Sequence, residues 1–333
     1  MTLTPKENYL RMLNREIPEY VPSNYDPYRN MVSEELLTPQ SAPEGIYISS
    51  FGVEYVGCES MNMGAMPNPN KILCPDITQW DRYIIKPDVS DRDWEGYYKA
   101  QEGNWDRENR VLTVGGADYW LTAVSFLGMQ NTVLAMYEEP QALKDMLEYV
   151  SEFYIEVLKQ QIYYTHPDIL SMMDDDASYL NPFFSLEMYR EFFKPLQQKH
   201  IDIAHENGML VTRHDCGRCE PFVGDWIEMD VRAWGPAQIT NDLKGIKAKY
   251  GNMIAIDGGW DSQGELGRGD VPIPKLRDAL AEYVDTLAPG GGFVFGAHLG
   301  GNRKDPAVME RNQIIRDFYE DYVRNYYRDR QEA

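Results

Sequence analysis

The second half of the chain alternates between two hydrophobic periods. Residues 140–164 carry apolar side chains at spacings of three and four, which predicts a long amphipathic helix. Short apolar runs then alternate with further segments of helical period. The predicted strands are 169–173, 209–213, 231–234, 253–256 and 293–295, and the predicted helices are 185–207, 220–229, 241–250, 274–287 and 306–327.

Five consecutive strand–helix units predict an α/β fold of the (β/α)8 TIM-barrel type. An open, doubly wound sheet is the alternative. That architecture commonly cradles a phosphate with Gly-x-Gly-x-x-Gly after a strand, and no strand–helix junction of this chain carries the motif. We therefore predict a single TIM-barrel domain over residues 1–333, a length that is ordinary for such a barrel.

The first 80 residues are predicted to form an irregular N-terminal extension, or lid, over the barrel. The segment 4–7, Thr-Pro-Lys-Glu, is a capping box that begins a helix ending near Asn14. Residues 18–80 are predicted to be irregular with a few short strands; they are rich in Pro and Gly and contain a loop with Met61, Met63 and Met66. These side chains are expected either to pack as a lid or to line an apolar pocket. Further strands are predicted at 83–85 and 111–114.

Polar residues and glycines follow the ends of five predicted strands. In a TIM barrel the active site lies at this carboxyl end of the strands. The five segments are Asp174-Asp175-Asp176, His214-Asp215-Cys216, Gly235-Pro236-Ala237-Gln238, Asp257-Gly258-Gly259-Trp260 and Gly296-Ala297-His298.

His214 and Cys216 are candidate metal ligands. Side chains two apart on a strand share a face, so the imidazole and the thiolate converge beyond the strand end. His298 closes another strand and is the candidate third ligand of a zinc ion with an open fourth position. A buried structural pair is the alternative. Cys219 adds a Cys-x-x-Cys spacing that suggests redox chemistry or half of a zinc site.

The run Asp174-Asp175-Asp176 offers candidate acids. Adjacent carboxylates repel one another, which raises a pKa unless a cation is near. The run could supply a general acid, a metal ligand or an anchor for a substrate hydroxyl. The alternative is a solvated cap for the following helix. Alternation places Asp174 and Asp176 on one face, and the sequence does not say which face is inward.

Composition narrows the class of partner. The net charge of −21 repels nucleic acid and anionic membranes. No apolar run approaches 18 residues, and the first residues lack the apolar core of a signal peptide. Four cysteines among 333 residues do not form a disulfide scaffold. We expect a cytoplasmic protein with reduced thiols.

Several motifs, in order along the chain, resemble the uroporphyrinogen decarboxylase superfamily. The resemblance is good over residues 140–325 and poor over the first 80. The motifs are His-x-Cys-Gly at 214–217, Asp-Gly-Gly-Trp-Asp at 257–261, Leu-Ala-Pro-Gly-Gly-Gly-Phe at 287–293, Ala-His at 297–298, Asp-Asp at the start of 174–193, Asn-Pro-Phe-Phe-Ser at 181–185 and Tyr-Arg-Glu-Phe-Phe-Lys-Pro at 189–195.

Within that superfamily the chain is similar to the corrinoid-dependent methyltransferases. The resemblance implies a zinc-containing barrel whose mouth binds a partner corrinoid protein. Coenzyme M methyltransferases of this branch use His-x-Cys and a later Cys, whereas the later position here is His298. Decarboxylases of the superfamily carry an arginine-rich N-terminal substrate motif, which this chain lacks. The local stretch most like it is residues 24–29, Asn-Tyr-Asp-Pro-Tyr-Arg, and this difference argues against a porphyrinogen with many carboxylates as substrate.

The chain looks most like the methyltransferase I component of bacterial aryl ether O-demethylases. This resemblance implies transfer of methyl from a methoxyphenol such as guaiacol, vanillate or veratrole to cob(I)alamin, with zinc as a candidate cofactor. The expected catalytic residues are His214, Asp174 and Asp175. The residues expected to hold the aromatic ring are Tyr25, Tyr28, Tyr179, Trp234 and Trp260.

Three other functions stay open at this point. The first is methyl transfer from a methylcorrinoid to a thiol such as coenzyme M. The second is a decarboxylase, and the third is a corrinoid-binding module without activity. For assembly, a homodimer is one option. The expected partners are a corrinoid protein and a small aromatic methyl ether.

Overall fold

The computed structural model describes residues 3–58, 64–302 and 304–331. Met61 and Met63 of the predicted pocket loop lie outside these residues. The strands are β1 (Arg29–Met31), β2 (Gln40–Ser41), β3 (Ile46–Ile48), β4 (Glu54–Cys58), β5 (Gly64–Pro67), β6 (Val111–Gly115), β7 (Ile169–Met173), β8 (Leu210–His214), β9 (Val231–Ala237), β10 (Ala255–Gly258) and β11 (Phe293–Val294).

Helices surround the larger, seven-stranded sheet. They are α1 (Pro5–Leu13), α2 (Trp80–Tyr83), α3 (Trp94–Lys99), α4 (Tyr119–Leu127), α5 (Met129–Glu138), α6 (Pro140–Thr165), α7 (Leu186–Met188), α8 (Lys194–Glu206), α9 (Val223–Glu228), α10 (Leu243–Tyr250), α11 (Ile273–Leu287), α12 (Pro306–Phe318) and α13 (Tyr326–Gln331). A π-helical segment, Tyr189–Phe193, joins α7 to α8, and a second, Tyr319–Val323, continues α12.

The main sheet is parallel and curls into a barrel. Its order is β1-β6-β7-β8-β9-β10-β11, so neighbours in the sheet follow one another along the chain. The segment before β1 reaches the last strand, where Ser23 bridges Phe295 in parallel and the Phe295 amide donates to the Pro22 carbonyl at 2.8 Å. The predicted TIM-barrel class is confirmed, although the described residues contain seven named strands in this sheet and not eight.

Helix α1 closes the amino-terminal end of the barrel. The predicted capping box is present, because the Thr4 hydroxyl accepts from the Glu7 amide and the Glu7 carboxylate accepts from the Thr4 amide. The helix buries one face against residues that begin the strands. This lower core contains Tyr9, Met12, Leu13, Tyr28, Val111, Ile169, Ala233, Ala255 and Val294.

The first 80 residues are more regular than predicted. They contribute α1, the barrel strand β1 and an antiparallel sheet in the order β2-β3-β4-β5. Phe51 anchors this small sheet, with ring centroids 5.3 Å from Phe126 and 5.1 Å from Phe153. Leu37 lies next to Gly115, where β6 ends. The extension therefore reaches the carboxyl end of the barrel, and its role as a lid stays a prediction.

Several element boundaries differ from the prediction. The strand predicted at 83–85 is wrong, because Tyr83 ends the helical turn Trp80–Tyr83 and residues 84–85 form no strand. Two helices before α6 carry apolar side chains on nearly every side and were not predicted.

No helix among the described residues is long and apolar enough to cross a membrane.

Candidate metal centre

Three side chains meet where β7 and β8 end. These strands pair in parallel with Met173 opposite His214, and the Asp174 amide donates to the His214 carbonyl at 3.1 Å. Alternation beyond the strands then turns Asp175, His214 and Cys216 toward the same side. The two strand ends therefore place three donor groups around one point.

The donor atoms of this centre lie within 4.8 Å of one another. His214 Nε2 is 3.8 Å from Asp175 Oδ1 and 3.7 Å from Cys216 Sγ. The side chains of His214 and Asp175 are 44% and 38% exposed, so the centre is open to a ligand. Nitrogen, sulfur and carboxylate oxygen are the donors that zinc takes, and three protein donors leave a fourth position free. The set fits a catalytic zinc ion.

Burial controls the protonation of two of these groups. It lowers the pKa of His214, which favours the neutral imidazole that binds metals. Burial, followed by the nearby Asp175 carboxylate, raises the pKa of the Cys216 thiol to about 12. In the absence of a cation Cys216 therefore holds its proton, and metal binding must release it.

His298 does not belong to this centre, contrary to the expected ligand set. Its ring nitrogen Nδ1 lies 3.0 Å from the Gly296 carbonyl oxygen, and the side chain is exposed. The next residue, Leu299, donates its amide to Asn312 of α12 at 2.8 Å. This bond draws the segment toward α12. Asp175 occupies the place that the sequence assigned to His298.

Asp174 is a structural carboxylate and not an accessible acid. Its side chain is fully buried and accepts the amides of Tyr119, Trp120 and Leu121 at 2.9, 3.0 and 3.1 Å. These are the first amides of α4, which lack partners within the helix. Asp174 therefore caps α4, and the structure corrects its predicted catalytic role.

Asp176 also faces the helices, in a buried ion cluster behind the centre. The Arg213 guanidinium donates to Asp176 at 2.5 Å and to Asp215 at 2.6 Å. The side chains of all three residues are buried. The Asp176 amide donates to Asp215 at 2.9 Å. The same guanidinium lies 4.6 Å from the Trp226 ring centroid. The cluster ties together the two loops that carry the metal donors.

Two of the aromatic residues expected in a substrate pocket are core residues. Trp234 is fully buried, and its indole N–H donates to the Asp215 carbonyl at 2.9 Å. Tyr28 is 2% exposed and stacks on Tyr9 with a centroid distance of 4.1 Å. Neither ring face is free for a ligand, so the structure corrects both predictions.

The other three residues predicted to hold the aromatic ring of the substrate lie apart from one another. Tyr25 is half-buried, donates to the Ala297 carbonyl at 3.0 Å and packs on Tyr319. Trp260 packs on Tyr283 in a cleft beside α10 and α11. Tyr179 is 63% exposed on a loop. The structure does not gather the five predicted aromatic residues into one pocket.

Sequence reasoning assigned no site role to three charged residues near the centre, Arg29, Asp118 and Asp257. Arg29 lowers the pKa of His214 and opposes the rise that burial causes at Asp257. The Tyr28 hydroxyl lies 3.4 Å from the Asp257 carboxylate. Asp118 precedes α4, and burial raises its pKa to about 6. Asp257 follows a predicted strand and was recognisable, whereas Asp118 precedes a helix that the hydrophobic pattern did not reveal.

Comparisons with known proteins agree with this architecture. Residues 67–298 match the sequence model of the family described as Uroporphyrinogen decarboxylase (URO-D). No curated protein sequence matches the chain. A solved structure described as a methyltransferase from Methanosarcina mazei has 15% identity and a TM-score of 0.63, covering 95% of this chain and 99% of that one.

A second solved structure is D-psicose 3-epimerase with D-tagatose from Clostridium cellulolyticum H10. It has 15% identity and a TM-score of 0.37, covering 74% of this chain and 86% of that one. The family match spans more than half of the 333 residues and includes the donors of the candidate metal centre. The chain belongs to the uroporphyrinogen decarboxylase (URO-D) family.

Proposed function

We propose that this protein is a zinc-dependent methyltransferase that moves a methyl group from an aryl methyl ether to cob(I)alamin on a corrinoid protein. The observation that carries the proposal is the cluster of Asp175, His214 and Cys216 at the carboxyl end of the barrel. An open donor set of this kind suits Lewis-acid catalysis. The Methanosarcina mazei methyltransferase with the same fold supports the choice of reaction.

The leaving group explains why a metal is needed. A phenolate is a poor leaving group, and a zinc ion held by Asp175, His214 and Cys216 would supply a Lewis acid for the ether oxygen. Asp175 is held for this task by the Cys216 amide, which donates to its Oδ1 at 3.0 Å. His214 extends from the end of β8 with a neutral ring that is ready to bind. The partner protein would approach the exposed side of these groups.

The direct test is anaerobic methyl transfer. The purified, zinc-loaded protein is mixed with cob(I)alamin on its carrier protein and with guaiacol, vanillate or veratrole in turn. We expect the corrinoid spectrum to change to that of methylcobalamin, with release of the demethylated phenol at equal stoichiometry. The His214→Ala variant should show almost no turnover while keeping its far-UV circular dichroism spectrum.

Two outcomes would overturn this proposal. If no aryl ether reacts in a folded, zinc-loaded sample, the substrate class is wrong. Methylcobalamin with coenzyme M is then the next pair to assay, because a zinc ion with an open position can also bind a thiolate. If His214→Ala keeps full activity, the centre does not carry the reaction.

A further inference from the structure

Asp118 lies on the same rim as the metal centre. β6 and β7 pair with Gly115 opposite Ser171, and the two chains then continue to Asp118 and Asp175 respectively. The amide that follows Asp118 donates to Asp174 at 2.9 Å, which ties the two loops together. Asp118 therefore stands beside the loop that carries Asp175.

The carboxylate of Asp118 is not used to cap α4, although the residue occupies the N-cap position. An aspartate at this position normally accepts an amide from the first turn. Here Asp174 already accepts the amides of residues 119–121. Asp174, on a neighbouring loop, therefore caps α4 in place of Asp118. The Asp118 side chain makes no capping hydrogen bond and is available for another role.

One hydrogen-bond chain orients Asp118. The Thr122 hydroxyl donates to Asp118 Oδ1 at 2.6 Å and lies 2.8 Å from the Tyr154 hydroxyl. Since the Thr122 proton points to Asp118, the Tyr154 hydroxyl is the donor to Thr122. Among the described residues, no other side chain bonds to the second carboxylate oxygen, Oδ2. Unlike Asp174, Asp118 is partly exposed, so that oxygen is available to a substrate.

The surroundings of Asp118 favour its protonated form. Burial has the largest effect and raises its pKa to about 6, and the Asp175 carboxylate raises it further. The hydrogen bond from Thr122 acts in the opposite direction. The titratable groups that interact with Asp118 are Tyr55 of β4, Tyr119 of α4, Tyr154 of α6, and Asp174 and Asp175 after β7.

We propose that Asp118 is the general acid that protonates the departing phenolate oxygen. This inference rests on the proposed function. As the bond from cobalt to methyl forms, the bond from methyl to oxygen breaks and its electron pair stays on the oxygen. That oxygen takes the proton of the Asp118 carboxyl, which yields the neutral phenol. The carboxylate regains a proton from solvent before the next turnover.

The test compares two leaving groups in the Asp118→Asn variant. With guaiacol, whose phenolate is basic, the variant should transfer methyl about 10²–10⁴-fold more slowly than the wild type. With a nitro-substituted methoxyphenol the phenolate leaves without protonation, so the loss should be about tenfold or less. Zinc content should equal that of the wild type. Asp93→Asn, at the exposed N-cap of α3, is the matched control and should behave as the wild type with both ethers.

A pH profile gives an independent measurement. The wild-type rate with guaiacol should fall as pH rises, because the active acid loses its proton. Thr122→Val removes a hydrogen bond that stabilises the Asp118 carboxylate and so raises the pKa of Asp118. The falling limb of the pH–rate profile should therefore move to higher pH. Asp118→Asn should lack the limb.

The outcomes separate this inference from the proposed function. If the wild type demethylates guaiacol and Asp118→Asn is slowed equally with both ethers, or not at all, Asp118 is not the acid and the function stands. If the wild type demethylates no ether, the function and this inference fail together. Loss of zinc from Asp118→Asn would also overturn the inference, because the residue would then support the metal centre.

Discussion

At the scale of single residues, three consecutive carboxylates have three different surroundings. Asp174 caps α4, Asp175 faces the metal centre and Asp176 binds a buried guanidinium. The cause is alternation, which sends neighbouring side chains to opposite sides of a strand end. The sequence correctly paired Asp174 with Asp176. It could not show which side was the mouth, because both sides of these loops carry polar groups.

The ligand set makes a prediction about zinc. Cys216→Ser and Asp175→Asn should each weaken zinc binding by at least about tenfold, since loss of a ligand costs at least as much as loss of an outer contact. His298→Ala should bind zinc as the wild type does, because its ring contacts the Gly296 carbonyl and lines a cleft together with residues of α12. Competition with a chromophoric chelator measures all four affinities. Equal losses of zinc affinity in His298→Ala and Cys216→Ser would show that His298 is a zinc ligand after all.

His200 should make the protein less stable in mild acid. Its ring is fully buried and lies 2.8 Å from the Tyr119 hydroxyl, and burial lowers its pKa from 6.5 to about 3. Between these values the unfolded chain binds a proton that the folded protein does not. Stability contributed by the neutral ring is therefore present above pH 6.5 and is lost as pH falls, by about 1.4 kcal/mol per pH unit.

His200→Gln removes this titration and keeps an amide that can bond Tyr119. Urea unfolding of both proteins at pH 7 and pH 5 measures the difference. Buried carboxylates such as Asp118 oppose the effect in both proteins, so the comparison between wild type and variant isolates His200. Identical pH slopes in the two proteins would contradict the prediction.

At the scale of elements, periodicity predicted most of the barrel and missed helix α4 and the pairing of the antiparallel sheet. The strands from β7 to β11 were recognisable because short apolar segments of three to five residues lie between helices of clear period. Helix α4 was missed because seven of its nine residues are buried, so no polar face marks the helical period. The sequence predicted a few short strands among residues 18–80 but neither their positions nor their pairing, because these strands are short and mostly half-exposed, which weakens alternation.

The ends of β7 and β8 depend on the buried Arg213. Arg213→Met leaves Asp176 and Asp215 buried without their cation, and breaking a buried pair costs about 3–5 kcal/mol. Urea unfolding should show this loss, with weaker zinc binding by the protein that remains folded. Arg268→Met, at the exposed pair with Asp270, is the matched control and should unfold as the wild type does. An Arg213→Met protein of unchanged stability would show that the cluster does not hold these loops.

At the scale of the whole molecule, the two ends of the chain complete the barrel together. The Tyr319 hydroxyl donates to the Val21 carbonyl at 3.0 Å, and Arg324 pairs with Asp26. Phe295 of the last strand region bonds to Pro22. Such contacts between distant parts of the sequence are invisible to local periodicity. They are the reason to expect that the N-terminal residues and the barrel unfold as one unit.

Leu13 offers a test of that expectation. It is fully buried in the lower core, against the first residues of the barrel strands. Leu13→Ala should lower the free energy of unfolding by about 2–5 kcal/mol, through lost burial and a residual cavity. Arg11→Ala on the exposed face of the same helix is the control and should have little effect.

The measurement needs two signals from different parts of the molecule. Tryptophan fluorescence reports the barrel wall, where Trp120, Trp226 and Trp234 are buried, and far-UV circular dichroism reports all helices. In one cooperative unit Leu13→Ala shifts both urea midpoints equally, because α1 and the wall lose their structure in the same transition. If circular dichroism shifted while fluorescence kept the wild-type midpoint, α1 would unfold separately, and the single-domain prediction for residues 1–333 would be wrong.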